Sequence, residues 1–280
     1  MKLASFSYGN TESFGIFTDG GVIDLKKRLD NKYEDLKSFI EKSGAEGINI
    51  STDQIDYTLE QISFLPVIPN PKKIVCVGLN YHAHIDEVGV QKAEFPIIFL
   101  RVPNSQIGHQ NDLILPKESF RFDYEGEIAV IIGKSGRRIK QEEALDYVAG
   151  YSCYNDGSIR DWQLRTQQWG PGKNFDGTGA FGPWMVTKDE IKDGEVLTLE
   201  TRLNGEVMQR SSTDKLIFSI PELIAFISTF TTLNPGDVIV TGTPGGVGDK
   251  RNPQIYLKDG DKVEVEVSKI GTLSNKVKAE

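Results

Sequence analysis

The stretch at residues 119–136, SFRFDYEGEIAVIIGKSG, decides how the chain is read. Asp123, Glu125 and Glu127 alternate at period two, and Ile128, Ala129, Val130, Ile131 and Ile132 follow as an unbroken apolar run. A short run of this kind, rich in β-branched residues and closed by Gly133, reads as a buried strand. Residues two apart on a strand point to the same face. Three carboxylates are therefore expected side by side at the mouth of a buried strand, with Gly126 removing bulk from the opposite face. A solvated face would suit the charges alone, but the apolar continuation argues that both faces are covered. Unpaired carboxylates are costly to bury, so something must offset their charge.

A hard divalent cation does so directly. A third oxygen ligand is then expected from elsewhere, and Asp156 in YSCYNDGSIRD (151–161) is the best candidate, at the end of another apolar strand. Three carboxylates plus waters suit Mg²⁺, with Mn²⁺ or Ca²⁺ as substitutes. A pair of acids working without metal, as in glycoside hydrolysis, is the rival reading of the same residues.

Two other segments carry candidate chemistry. In VGLNYHAHIDEVG (77–89) a strand ends at Gly78, Asn80 is placed to cap, and a short helix follows. His84 and Glu87 are three apart and share a helical face. A carboxylate beside an imidazole orients it and raises its basicity, which makes a general base for water. Gly78 and Gly89 would let the segment move as a lid, while His82 and His109 read as structural. The glycine-rich stretches QWGPGKNFDGTGAFGPW (168–184) and VIVTGTPGGVGDK (238–250) flank apolar strands. Such loops present backbone N–H groups to a carboxylate or oxyanion, and Lys173 adds a fixed positive charge. Neither matches the phosphate-cradling P-loop pattern.

The whole chain sets outer bounds. At 280 residues, with 38% hydrophobic and 26% charged side chains, it can build a sizeable core. A net charge of −8 argues against a nucleic-acid or anionic-membrane binder. No apolar run approaches the roughly 20 residues of a membrane span, and MKLASFSYGN lacks the apolar stretch of a signal peptide. Cys76 and Cys153 lie in apolar strand contexts and read as free buried thiols, from which a cytoplasmic location follows as the default.

Residues 1–70 read as a small α+β unit, with strands in KLASFSY and SFGIFTDGGVIDL and a helix in KYEDLKSFIEKS that buries Leu36, Phe39 and Ile40. FLPVIPNPKK, with three prolines, reads as an extended connection. Residues 71–280 are strand-rich, with strands expected in KIVCVGL, PIIFLR, EIAVIIG, AFGPWMVT, LTLETRLNG, DVIVTG and KVEVEVSKIG. SIPELIAFISTFTTL is the clearest helix, with Ser219 and Glu222 forming a capping box and Leu223, Phe226, Ile227 and Phe230 its buried stripe. SIRDWQLRTQQ reads as another, with Ser158 and Asp161 in capping-box spacing.

From about residue 72 onward, several of these segments fall together in one order: GLNYHAHIDE, PIIFLR, DYEGEIAVIIG, AGYSCYNDGSIRDWQ, GKNFD, TRLNGEVMQ, IFSIPELIAFIS and LNPGDVIVTGTPGGVG. In this the chain resembles the fumarylacetoacetate hydrolase family. The resemblance implies a mainly β (α+β) roll of mixed sheets with a few helices, preceded by a small variable N-terminal domain, in a homodimer. It places Glu125, Glu127 and Asp156 on the family's metal ligands and His84 and Glu87 on its catalytic dyad. Lys173 falls on the lysine beside the metal. Gln163 and Thr243 fall on substrate-side positions, as does Arg101 where many members carry lysine. Asp123 matches no ligand position and is expected to support the ligands.

Asn174, Gly157 and His109 depart from common family residues at positions expected near the pocket. The implied activity is Mg²⁺-dependent hydrolysis of a carbon–carbon bond in an acylpyruvate-like β-diketo acid through a stabilised enolate. Decarboxylation of a 2-oxo acid, or isomerisation or hydration of a 2-hydroxydienoate, would use the same site. The expected partner is a small 2-oxo or diketo acid, with neither nucleic acid nor membrane. A non-catalytic, metal-stabilised protein would leave His84, Glu87 and Lys173 unexplained.

Overall fold

The computed structural model describes residues 1–43 and 54–280. The strand Gly126–Ile132 is buried along its whole length. Its side chains divide at period two. Ile128, Val130 and Ile132 enter one core, and Ala129 and Ile131 enter another on the opposite face. It pairs antiparallel with Val148–Asn155 on one side and Val238–Val240 on the other. Both faces and both edges are thus occupied, as the apolar run requires.

These strands lie at the centre of an open sheet of eleven. Its main path runs Gly21–Asp24, Thr11–Thr18, Lys2–Tyr8, Gly179–Thr187, Val148–Asn155, Gly126–Ile132, Val238–Val240, Ile74–Gly78, Ile97–Arg101. The pairing of Val238–Val240 with Ile74–Gly78 is parallel, so the sheet is mixed. Strands of the first 70 residues continue this sheet, because Leu3 pairs with Met185. Leu3, Phe14 and Phe39 pack in the same core as Ile74, Ala129 and Val238.

A second sheet of five strands includes Thr198–Leu203, Lys262–Val267 and Gly271–Ala279, and its Leu199, Val265 and Leu273 share the core of Ile128 and Val130. The close approach needs Gly126: a Cβ there would lie 1.9 Å from Thr201 Oγ1. The fold is a β-roll of mixed sheets with few helices, and no described helix is long and apolar enough to cross a membrane.

The helices depart in detail from expectation. Helix Leu36–Ser43 buries Leu36, Phe39 and Ile40. Helix Ile220–Phe230 carries the expected capping box, but its buried residues are Leu223, Ile224, Ile227 and Ser228, and Phe230 is exposed. Only Arg160–Gln163 of the second expected helix forms. Ser158 instead pairs with Asp123 in a short two-stranded ladder, and its hydroxyl donates to Asp156 O.

His109 is absent from the walls of the cavity described below. Its Nδ1 accepts from the Ser274 N–H at 3.0 Å, and its ring meets Phe64 edge-on at 4.8 Å. Burial, with Lys262 nearby, lowers its pKa to about 4. An unfolded histidine titrates near 6.5, so between these values the unfolded chain binds more protons and stability rises with pH. The contribution is complete above about pH 6.5 and is lost as pH falls toward 4, a change on the order of 3 kcal/mol. Denaturant titrations from pH 7 to 4 should therefore show a shallower loss of stability in His109→Asn, whose side-chain oxygen can still accept from Ser274, than in the unaltered protein. Parallel curves would show that His109 titrates normally.

Candidate active site

The register of two strands assembles the acidic site. Gly126 pairs with Asn155 and Glu127 with Tyr154, and just beyond the ladder the Asp156 N–H donates to Glu125 O at 2.8 Å. Glu125 and Asp156 therefore leave neighbouring strands at the same end. A carboxylate oxygen from each of Glu125, Glu127 and Asp156 lies within 4.8 Å of the others, and all three residues are buried. Asp123 is not in this group. It accepts from Arg160 Nε at 2.9 Å and from the N–H groups of Gly248 and Asp249.

Cations surround the group unevenly. Lys173 Nζ reaches Glu125 and Asp156, each at 2.7 Å. Arg160 Nη1 reaches Glu125 at 2.6 Å, and its Nη2 reaches Asp123 at 2.7 Å. Arg101 Nη1 reaches Asp156 at 2.5 Å. Glu127 has no cationic partner among the described residues; its Oε2 accepts from the Gly242 N–H at 2.5 Å. The electrostatics follow this pattern. Burial pushes Glu125 up, but Lys173 and Arg160 outweigh it and hold the carboxyl at about 2. Burial, then Asp156 and Glu125, push Glu127 well above the usual carboxylate range. Burial opposes the charge on Lys173, and Asp156 and Glu125 more than restore it.

Four carboxylates thus share three cations, and Glu127 carries the uncompensated share. A divalent cation is the group that fits such a set of hard oxygen donors.

A cavity of about 260 Å³ opens over the cluster and is lined by His84, Glu125, Glu127, Asp156, Gln163, Lys173 and Thr243. His84 stands on the helix His82–Val88, which Gly89 closes in the left-handed conformation. Its Nδ1 lies 2.7 Å from Glu87 Oε1. A carboxylate only accepts, so Nδ1 carries a proton, and in the neutral imidazole the lone pair is therefore on Nε2. The other Glu87 oxygen accepts from the Gly246 N–H at 2.8 Å. The dyad is thereby tied to the glycine-rich loop whose Gly242 binds Glu127. Asn80 does not cap this helix: its side chain bonds Phe218 and the Thr241 carbonyl instead. It fastens the start of the segment to neighbouring chain.

Of the other expected residues, Gln163 accepts from Arg160 Nη1 at 2.9 Å. The Thr243 hydroxyl donates to Gly126 O and accepts from Gln209 Nε2. Glu87 and Arg101 do not line the cavity. Arg101 stands behind Asp156, bonded also to Gly157 O and Thr178 Oγ1, so it holds a carboxylate rather than facing a substrate. Asn174 bonds the Leu100 carbonyl and the Val102 N–H.

Arg160 is the residue that sequence reasoning passed over. The charge count would have found it, since three buried carboxylates on one face call for more than one cation.

Residues 73–278 match the family model described as fumarylacetoacetate (FAA) hydrolase C-terminal. The chain belongs to the fumarylacetoacetate hydrolase family. A mitochondrial oxaloacetate tautomerase of Rattus norvegicus is 41% identical over 264 residues, covering 92% of this chain and 84% of that protein. The fumarylacetoacetate hydrolase of Exiguobacterium antarcticum superposes with a TM-score of 0.88 at 34% identity, over all of both chains. The maleylpyruvate hydrolase of a Sphingobium species, solved with manganese(II) and pyruvate, gives a TM-score of 0.82 at 28% identity over 100% of this chain and 99% of that one.

One expectation is corrected. Relatives from Rattus norvegicus, Xenopus laevis, Bos taurus and Homo sapiens are mitochondrial proteins, so the cytoplasmic default does not stand. Cys76 and Cys153 are free and buried, and a reduced, buried thiol does not tell one reducing compartment from another.

The charge imbalance yields a direct test. Glu127→Gln removes the uncompensated charge and keeps an acceptor for Gly242. In protein stripped with chelator it should raise the unfolding temperature, and it should abolish most of the further rise that Mg²⁺ gives the unaltered protein. Equal Mg²⁺ stabilisation of both proteins would show that the ion binds elsewhere.

Proposed function

We propose that the protein is an isomerase of small 2-oxo acids that interconverts their keto and enol forms, with Mg²⁺ held by Glu125, Glu127 and Asp156. The observation that carries this reading is the presence, in one small cavity, of an oriented imidazole base and the acidic cluster with Lys173. When bound, the divalent cation supplies Lewis-acid stabilisation of negative charge developing on the 2-oxo oxygen.

The chain's own residues do the rest. His84 Nε2 takes a proton from the carbon next to the keto group, and Glu87 stabilises the imidazolium that forms. The same proton is then given to the oxygen, so that no atom enters or leaves. Lys173 fixes Glu125 and Asp156 and adds positive charge to the site. Gln163 and Thr243 line the cavity, which supports a substrate-side role for both. Val77, Val88, Phe99, Leu164 and Trp169 form apolar walls that limit water around the transferred proton. The tautomerases among the relatives, at about 41% identity over most of the chain, support this choice over hydrolysis.

Hydrolysis of a carbon–carbon bond is the second reading, favoured by the same free Nε2, which can deprotonate water as well as carbon. The maleylpyruvate hydrolase likeness supports it at lower identity. The homodimer is part of the proposal, with Phe120, Leu100 and Leu164 as exposed apolar side chains that a second copy would cover.

The test follows the ultraviolet absorbance of enol-oxaloacetate with Mg²⁺-loaded protein. Conversion should be accelerated, lost on chelation and restored by Mg²⁺. His84→Ala should lower the rate by ~10²–10⁴-fold, with Mg²⁺ stabilisation unchanged. No acceleration, together with cleavage of an acylpyruvate, would replace isomerisation by hydrolysis.

A further inference from the structure

Among the described residues, three that carry a cationic side chain line the cavity: Arg160, Lys173 and Lys250. The first two are held by carboxylates of the buried cluster. Lys250 is not. Its ionic partner is Asp249 at 3.3 Å, and about a third of its side chain (34%) remains accessible. Asp249 does not depend on that contact, because Arg121 Nη2 at 2.7 Å and the Tyr256 hydroxyl at 2.6 Å already hold it. Lys250 is thus the lining cation, among the described residues, that can change partners without leaving a buried carboxylate bare.

Its position is also built. Lys250 ends the short turn Gly248–Lys250. The N–H groups of Gly248 and Asp249 donate to the two oxygens of Asp123, each at 2.9 Å. A Cβ on Gly248 would lie 2.0 Å from Ile255 O, so only glycine seats the turn this closely. Asp123 in turn pairs with Arg160, which pairs with Glu125. One continuous chain of charge-assisted bonds therefore fixes the turn bearing Lys250 relative to the acidic cluster.

The rest of the wall includes Val77, Phe99, Trp169 and Val247, which have no charge to offer an anion. The protein's net charge of −8 disfavours a dianion unless a local cation receives it.

We propose that Lys250 binds the second carboxylate of a dicarboxylic 2-oxo acid, and so selects dicarboxylic over monocarboxylic substrates. This rests on the 2-oxo acid reading of the site and adds the class of acid. The test is a binding experiment on Mg²⁺-loaded protein, read by the change in tryptophan fluorescence to which Trp169 in the cavity wall contributes. The probes are malate and lactate, 2-hydroxy acids that differ in the distal carboxylate. The unaltered protein should bind malate more tightly. Lys250→Met should weaken malate by about tenfold, the scale of one charge-assisted hydrogen bond, and leave lactate unchanged. Lys250→Arg should restore most of the preference.

Unchanged Mg²⁺ stabilisation of Lys250→Met would show that it folds normally. No preference for malate in the unaltered protein, or equal weakening of malate and lactate, would overturn the assignment. Failure of the oxaloacetate assay with a Lys250-dependent malate preference would defeat the isomerase reading alone. Tautomerisation of oxaloacetate without that preference would defeat the Lys250 assignment alone.

Discussion

Asp123, Glu125, Glu127 and Asp156 are buried together at the end of a strand that is covered on both faces, and they share Arg101, Arg160 and Lys173. Little else in the molecule is as costly as this concentration of charge away from water. Much of the surrounding structure is arranged to hold it. The register of Gly126–Ile132 against Val148–Asn155 brings the acids together. Gly126 lets the second sheet close over the strand. The loop after Val238–Val240 brings Gly242 to Glu127. Glu127 is still left without a cationic partner among the described residues, and a divalent ion placed there would offset the crowding of carboxylates.

The strand and its acids were legible because two periodicities agree there. Carboxylates two apart and an apolar run without polar breaks admit one placement, and the structure divides residues 128–132 between two cores accordingly. The His84–Glu87 pair was legible for a similar reason, since three residues on a helix set the contact. What escaped the sequence depended on distant partners. Asn80 looks like a cap until Phe218 and Thr241 are beside it. Ser158 looks like a helix start until Asp123 pairs with it. Arg101 looks like a substrate ligand until its side chain is seen behind Asp156. Phe230 fits the helical stripe by spacing, yet the helix turns Ile224 and Ser228 inward and leaves Phe230 exposed.

Isomerisation and hydrolysis make similar demands on this framework. Both need an anionic oxygen stabilised and a proton moved by an imidazole; they differ in whether water is the proton donor and nucleophile. The choice between them therefore lies in the cavity walls more than in the charged residues. Apolar side chains such as Val88, Phe99 and Trp169 favour a reaction that adds no water. The dyad's attachment to Gly246 also couples the base to the loop that carries Gly242 and Thr243, so the position of His84 and the state of the acidic cluster are linked through one backbone segment.

The arrangement of Glu125, Glu127 and Asp156 calls for a metal ion among the buried acids. Crystals grown with Mn²⁺, with anomalous scattering recorded at its absorption edge, test it most directly. One strong peak is expected within coordination distance of Glu125, Glu127 and Asp156, with the remaining ligands water or an added 2-oxo acid. A map with no peak there, and Lys173 still bridging Glu125 and Asp156 beside an empty Glu127, would contradict it.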